Sequence, residues 1–298
     1  MTTQNKVKTF AELVRWEHTV FNLPFAYLGA FLAAHGWPGW LNILWITVAM
    51  FGARTAAMAM NRLFDAEIDA KTPRTKTRHI PAGLIGKKDV AFMILLSLLL
   101  LFLAAWNLDP ICVKLFPLAV LTVTIYSFTK RFTWLCHVWL GLSVSWAPFG
   151  AYVAVKGAVT WESIWLVAIV TLWNAGFDML YATQDMESDI QNGIHSVPAR
   201  FGLAGALKIA KAFHLVLVVV SLLFGVAVNL LPIANPLTWS LGGWLYFLAW
   251  AVMAGLLHYE HHIISPTDMS RLDAAFFSIN GYLSVAYSIL AAAALVFA

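Results

Sequence analysis

Val90-Ala-Phe-Met-Ile-Leu-Leu-Ser-Leu-Leu-Leu-Leu-Phe-Leu-Ala-Ala-Trp106 carries no charge and a single hydroxyl, Ser97. Its apolar residues cover every side of a helix rather than one stripe, and they do not alternate as a barrel strand would. A bilayer core about 30 Å thick is crossed by roughly 20 apolar residues in helical form. With no water there to satisfy the backbone, only helices or a closed barrel can span it. Leu215–Leu231 has the same character. These two stretches set the reading of the whole chain as an all-α integral membrane protein.

Working outward, about nine such runs appear, at residues 18–35, 41–64, 89–106, 111–129, 134–155, 161–181, 204–230, 239–258 and 274–297. Charged residues make up 11% of the chain and hydrophobic residues 61%, against about 25% charged in a soluble domain. The formal charge of +4 is read as loop bias rather than as a nucleic-acid surface, so no nucleic-acid partner is expected. Loops after the even-numbered spans hold Lys71, Arg74, Lys76, Arg78, Lys87, Lys88, Lys130, Arg131, Arg200, Lys208 and Arg271. The other side has only Lys114 and Lys156. Positive loops stay cytoplasmic, which places the N-terminus and these loops in the cytoplasm, the C-terminus outside, and the chain in the inner (cytoplasmic) membrane. Trp37, Trp40, Trp106, Trp161 and Trp239 fall at the outer span ends, as an aromatic belt does. Lys6, Lys8 and Arg15 precede the first span, which reads as retained, with Phe10–Trp16 as an amphipathic lead-in. Cys112 and Cys136 suggest neither a mutual disulfide nor a metal site. No linker divides the sequence, so residues 1–298 form one domain.

Two polar stretches interrupt the apolar pattern. Asn61, Asp65 and Asp69 recur at steps of four near the cytoplasmic end of span 2, on one helical face. Asp178, Tyr181, Asp185 and Asp189 form a second stripe at the end of span 6. The sets echo each other at an offset of 120 residues, and each precedes a Pro-Ala pair, Pro81-Ala82 and Pro198-Ala199. Glu67 and Glu187 lie off the stripes. The plain alternative is loop charge at a helix end, but two matched carboxylate sets at one depth are costly without a cation between them. Oxygen ligands suit a hard ion, and Mg²⁺ commonly takes one or two carboxylates plus phosphates. Asp65, Asp69, Asp185 and Asp189 are the expected metal ligands. Arg74 and Arg78, with Lys130 and Arg131, converge from the same side and suit a diphosphate. Arg54 lies two turns deeper than Asn61 on the same face, and both are candidates to meet the second substrate. His258-Tyr-Glu-His-His262 ends span 8 without a matched partner and reads as a solvated loop; His18 and His137 carry no assignment.

At the paired motifs the chain resembles the UbiA superfamily of intramembrane prenyltransferases. The resemblance runs through the whole chain and includes residues 73–76 (Pro-Arg-Thr-Lys), 126–131 (Tyr-Ser-Phe-Thr-Lys-Arg) and Gly193-Ile194-His195-Ser196. Within the superfamily it looks like the 4-hydroxybenzoate and menaquinone branch. Residues 17–24 and 52–58 are most similar to the prenyltransferase of the futalosine route to menaquinone. The chain departs at Gln191, where many 4-hydroxybenzoate enzymes carry Lys, and this leaves the acceptor open. The resemblance implies nine helices around a central cavity. It also implies transfer of a prenyl group from an allylic prenyl diphosphate, held through Mg²⁺, to an aromatic acid in quinone biosynthesis. Asn61, Asp65, Asp69, Asp178, Tyr181, Asp185 and Asp189 would be catalytic. Two other classes compete. A CDP-alcohol phosphotransferase would need a single compact D-x-x-D-G stretch, which is missing, and a cation-coupled transporter would place its charges at midplane.

Overall fold

The computed structural model describes residues 10, 12–14, 17–232 and 239–298, with the side chains of 17–21 excepted. Lys6, Lys8, Arg15 and the His18 side chain lie outside the described residues. The described chain is helical, with α1 Glu17–Ala34, α2 Trp40–Phe64, α3 Ala66–Lys71, α4 Lys87–Trp106, α5 Pro110–Thr129, α6 Cys136–Lys156, α7 Trp161–Tyr181, α8 Met186–Asn192, α9 Val197–Ala227, α10 Leu241–Ile263 and α11 Asn280–Val296. A 3₁₀ turn, Ala182–Asp185, joins α7 to α8, and a π-helical segment, Ala274–Ile279, runs into α11. Eight helical stretches are long and apolar enough to cross a bilayer, and the apolar part of α1, Asn22–Ala34, supplies a shorter ninth.

Local sequence sets the starts of several helices. Asp109 accepts from the Ile111 N–H at 3.0 Å, with Pro110 at the first position of α5, where a missing N–H costs nothing. Thr160 and Ser163 form a reciprocal capping box on α7. Ser240 accepts from the Gly243 N–H at 3.1 Å to start α10.

Two elements depart from the sequence reading. Span 7 was expected to begin at 204, but α9 has an added turn from Val197, broken by Gly202 at φ 70° and ψ 175°, a conformation open to glycine almost alone. The segment His258–His262 is no solvated loop: it forms the last turns of α10, Glu260 is wholly buried, and His261 faces His214 of α9 at 2.9 Å. The apolar run stopped at the first histidine, whereas the helix continues because α9 offers that face a polar partner.

Neighbouring helices pack in the ring order α1, α2, α4, α5, α6, α7, α9, α10, α11 and back to α1, with α1 and α6 also touching across it. Small residues allow the crossings. A Cβ on Gly29 would lie 2.1 Å from the Pro148 carbonyl oxygen, so α1 and α6 meet backbone to backbone. The largest packed core belongs to α1, α6, α7, α9, α10 and α11, around Phe25, Trp173, Phe224, Tyr246 and Tyr287. The α4 and α5 side is looser. Phe92, Leu95, Leu99, Leu103, Leu118 and Leu121 point outward from it, as side chains facing lipid do. The space left inside that looser half is the cavity.

Candidate active site

Asp65 closes α2 and opens α3 with φ −90° and ψ 0°. Asp185 opens α8 with φ −101° and ψ 3°. Both occupy the sparsely populated bridge region, where the backbone leaves one helix and enters another. The expectation of two unbroken helical stripes is therefore corrected: each motif breaks at its central aspartate. Asp69 and Asp189 sit on the short helices α3 and α8 that follow the breaks, and both line the cavity. The echo between the two motifs is thus an echo of backbone shape as well as of spacing. Glu67 and Glu187 are exposed.

A cavity of about 500 Å³ opens at these breaks. Asn61, Asp65, Asp69, Arg74, Arg78, Lys130, Asp178, Tyr181, Asp185 and Asp189 all line it, and so does Arg54. Arg131 does not: its guanidinium donates to the Phe64 carbonyl at 2.6 Å and lies 4.0 Å from Asp65. The cations interleave with the acids. Lys130 Nζ and Asn61 Nδ2 both donate to Oδ2 of Asp65, at 2.6 and 2.7 Å. Arg78 reaches Oδ1 of Asp69 at 2.6 Å. Arg74 grips Asp185 with two donors, Nε at 2.8 Å and Nη2, and its Nη1 lies 3.3 Å from the Tyr181 hydroxyl. That pair ties the loop after the first motif to the second motif and brings the two sets to one end of the bundle. Burial pushes the Asp65 carboxyl above its ordinary value and Lys130 pulls it back. The two-donor bond to Asp185 raises Arg74 further.

Oδ1 of Asp65 and Oδ2 of Asp69 are buried and accept no hydrogen bond among the described residues. A buried acceptor left bare costs on the order of 1–3 kcal/mol. These oxygens, with Asp185 and Asp189 facing the same space, form an all-oxygen set that fits Mg²⁺.

Several neighbours escaped the sequence reading. His137 donates from Nδ1 to Asp178 at 2.7 Å, and its Nε2 accepts from the Val197 N–H at 3.2 Å, which fixes the tautomer. Phe276 stacks on Tyr181 with ring centroids 3.9 Å apart, and the Arg74 guanidinium lies 5.3 Å from the Tyr181 centroid. Deeper in the cavity, Arg54 Nε and Asn174 Oδ1 are buried without hydrogen-bond partners among the described residues. Asn174 had a signal, since it stands four residues before Asp178 on the same helical face. Phe276 had none, because its position depends on the π-helical segment. Gln191 and His195 are exposed and do not line the cavity; the His195 N–H donates to the Lys130 carbonyl at 2.7 Å.

The model of the UbiA prenyltransferase family matches residues 22–284. The chain belongs to that family. This UbiA-family protein is a membrane enzyme, an aromatic prenyltransferase, and the phosphotransferase and transporter readings fall away. It is 28% identical over 284 residues to a 4-hydroxybenzoate octaprenyltransferase of Vibrio campbellii, covering 94% of this chain and 95% of the relative. A protein of the same name from Aliivibrio salmonicida is 29% identical over 293 residues, covering 96% and 98%. Among solved structures, the UbiA homologue of Aeropyrum pernix superposes with a TM-score of 0.77 at 28% identity, over 93% of this chain and 96% of that one. A homologue from Archaeoglobus fulgidus, solved with DMAPP and Mg²⁺, shares the fold at a TM-score of 0.66 and 15% identity, over 96% and 99%.

Proposed function

We propose that this UbiA-family enzyme moves a polyprenyl group from an allylic diphosphate, bound with Mg²⁺, to a hydroxylated aromatic acid, releasing diphosphate on the cytoplasmic face. The observation that carries this reading is a single cavity of mixed character. Carboxylates and cations crowd its mouth, while Leu98, Leu101, Ala105, Leu115, Phe116 and Ala119 line its far reach between α4 and α5. A diphosphate and an isoprenoid tail need those two environments in that order.

Asp65, Asp69, Asp185 and Asp189 would hold the metal, which when bound neutralises charge developing on the leaving diphosphate. Arg74, Arg78 and Lys130 would then turn from their carboxylates to the diphosphate oxygens, with Arg131 adding charge from behind. The allylic C–O bond breaks and its electron pair leaves with the diphosphate. Tyr181 and Phe276 present ring faces that favour a positive carbon, and the closed walls keep out water that would capture it. The acceptor ring forms the new C–C bond and loses its ring proton. Asn61 is placed to orient the reactants. Arg54 would pair with the acceptor carboxylate, and Asn174 Oδ1 could accept from its hydroxyl. The names of the Vibrio and Aliivibrio relatives support a hydroxybenzoate acceptor, and residues 17–24 and 52–58 favour a hydroxynaphthoate.

The test is an assay of the purified enzyme with several prenyl diphosphates and a panel of hydroxybenzoates and hydroxynaphthoates. Prenylated product and diphosphate should appear together with Mg²⁺ and vanish in EDTA. Turnover that persists without a divalent ion would sink the metal assignment, and transfer only to acceptors lacking a carboxylate would sink the role of Arg54.

A further inference from the structure

Behind the cavity wall, on the side of α7 away from the carboxylates, lies a second cluster with different chemistry. His214 of α9 and Glu260 and His261 of α10 offer one ligand atom each, all within 4.8 Å of one another. His214 Nδ1 is 2.9 Å from His261 Nε2 and 3.8 Å from Oε1 of Glu260. Glu260 is 0% exposed and His214 2%. Oε1 of Glu260 is buried and accepts no hydrogen bond among the described residues, while Oε2 accepts from Asn280 Nδ2 at 3.0 Å. One carboxylate oxygen is thus anchored and the other is bare and aimed at two imidazoles.

The surroundings orient these ligands. His214 Nε2 lies 3.3 Å from the Trp173 carbonyl. Donation to that oxygen puts the proton on Nε2 and leaves the Nδ1 lone pair facing the cluster, as metal-binding histidines are commonly held. Asn280, which fixes Glu260, accepts in turn from Trp173 Nε1 at 2.7 Å. Space for the His214 ring depends on Gly176, where a Cβ would lie 2.2 Å from Nε2. These contacts make a prepared pocket in a membrane helix bundle, where an unpaired ionisable group is expensive.

We infer that His214, Glu260 and His261 form a second metal site, separate from the carboxylate mouth, that takes a transition ion of the Zn²⁺ class. Two imidazoles and one carboxylate are a common zinc set that leaves a fourth position for water. Mixed nitrogen and oxygen donors also select against Mg²⁺, which prefers oxygen alone. Ligand atoms of a tetrahedral zinc stand about 3.3 Å apart, given bonds of about 2.0–2.1 Å, so on binding the histidine pair, now at 2.9 Å, opens slightly and Oε1 of Glu260, now 3.8 Å from His214, closes in. The ion joins α9 to α10 and, through Asn280, to α11 and to Trp173 on the cavity wall.

The experiment uses the full chain in detergent, stripped with a chelator and then given ZnCl₂ with millimolar MgCl₂ present to occupy the carboxylate mouth. One zinc per chain should be retained by elemental analysis. Zinc K-edge absorption of the wild-type protein should show scattering from two imidazoles. Glu260→Gln and His261→Gln should each weaken retention at least tenfold. Because α10 carries a stacked histidine pair at its end, His258 and His262, a variant with both changed to Gln serves as the control and should retain the ion. Zinc displaced by magnesium, a shell of oxygen alone, or loss of zinc in that control would overturn the site. The absorption measurement decides the matter even if a variant fails to fold.

Discussion

At the residue scale, chemistry is set by acceptors and donors that lack a protein partner. Asp65 and Asp185 share a backbone conformation and each carries a cation. Asp65→Asn or Asp185→Asn should lower turnover by orders of magnitude, since each removes a charge that the proposed metal site depends on. Thermal unfolding in detergent should shift little by comparison. Near-normal turnover in either variant would refute the paired arrangement. Arg54 is the residue proposed for the other substrate. Its buried Nε has no acceptor among the described residues, and the proposal pairs it with the acceptor carboxylate. Losing one member of a buried ion pair costs about 3–5 kcal/mol. Arg54→Ala should therefore raise the acceptor KM by two orders of magnitude or more, or abolish transfer, and leave prenyl diphosphate binding nearly unchanged. Separate titration of the two substrates checks this; loss of diphosphate binding alone would reverse the assignment.

At the element scale, helix contacts at glycine hold the bundle closed around a cavity that is otherwise a void. Gly29 and Gly255 make a useful pair, since both are helical and neither has positive φ. A Cβ at position 29 meets the Pro148 carbonyl oxygen at 2.1 Å, while at 255 nothing lies within 4 Å. Backbone cannot give way as a side chain can, so Gly29→Ala should cost about 1–3 kcal/mol through overpacking and lower the Tm. Gly255→Ala should leave stability equal or raise it by up to about 1 kcal/mol through lost unfolded-chain entropy. Equal Tm values for the two variants would show that α1 and α6 can separate freely. The breaks at Asp65 and Asp185 belong to this scale too: the four-residue spacing was legible, whereas the turn at the centre of each motif was not, because a helical period assumes a helix that continues.

At the scale of the whole molecule, one end of the bundle gathers the charged residues that line the cavity. The Arg74–Asp185 pair fixes the loops after α3 and α7 on one side. Arg74, Lys76 and Arg78 in the loop after α3, with Lys130 and Arg131 after α5, give this side the excess of Lys and Arg that predicts a cytoplasmic face. Single cysteines placed at Lys76 and Gln191 of a variant lacking Cys112 and Cys136 should react with a membrane-impermeant maleimide only after the cells are opened. Labelling of either from outside intact cells would overturn the orientation.

Membrane class, about nine apolar spans and the two acid motifs are legible in the sequence, because bilayer thickness and the absence of water leave the chain few options. Span limits at Trp40–Phe64, Pro110–Thr129 and Trp161–Tyr181 fall within a residue of those read from apolar runs. Relations between helices distant in sequence follow only from how the bundle packs. His137 meets Asp178, Phe276 meets Tyr181, and His214 meets Glu260 and His261. His137, Phe276 and His214 lie in stretches whose hydropathy says only that they are apolar, and the polar run His258–His262 reads as solvated. Hydropathy is a property of the solvent a segment needs, and it is blind to which neighbour a side chain faces once the helices have packed.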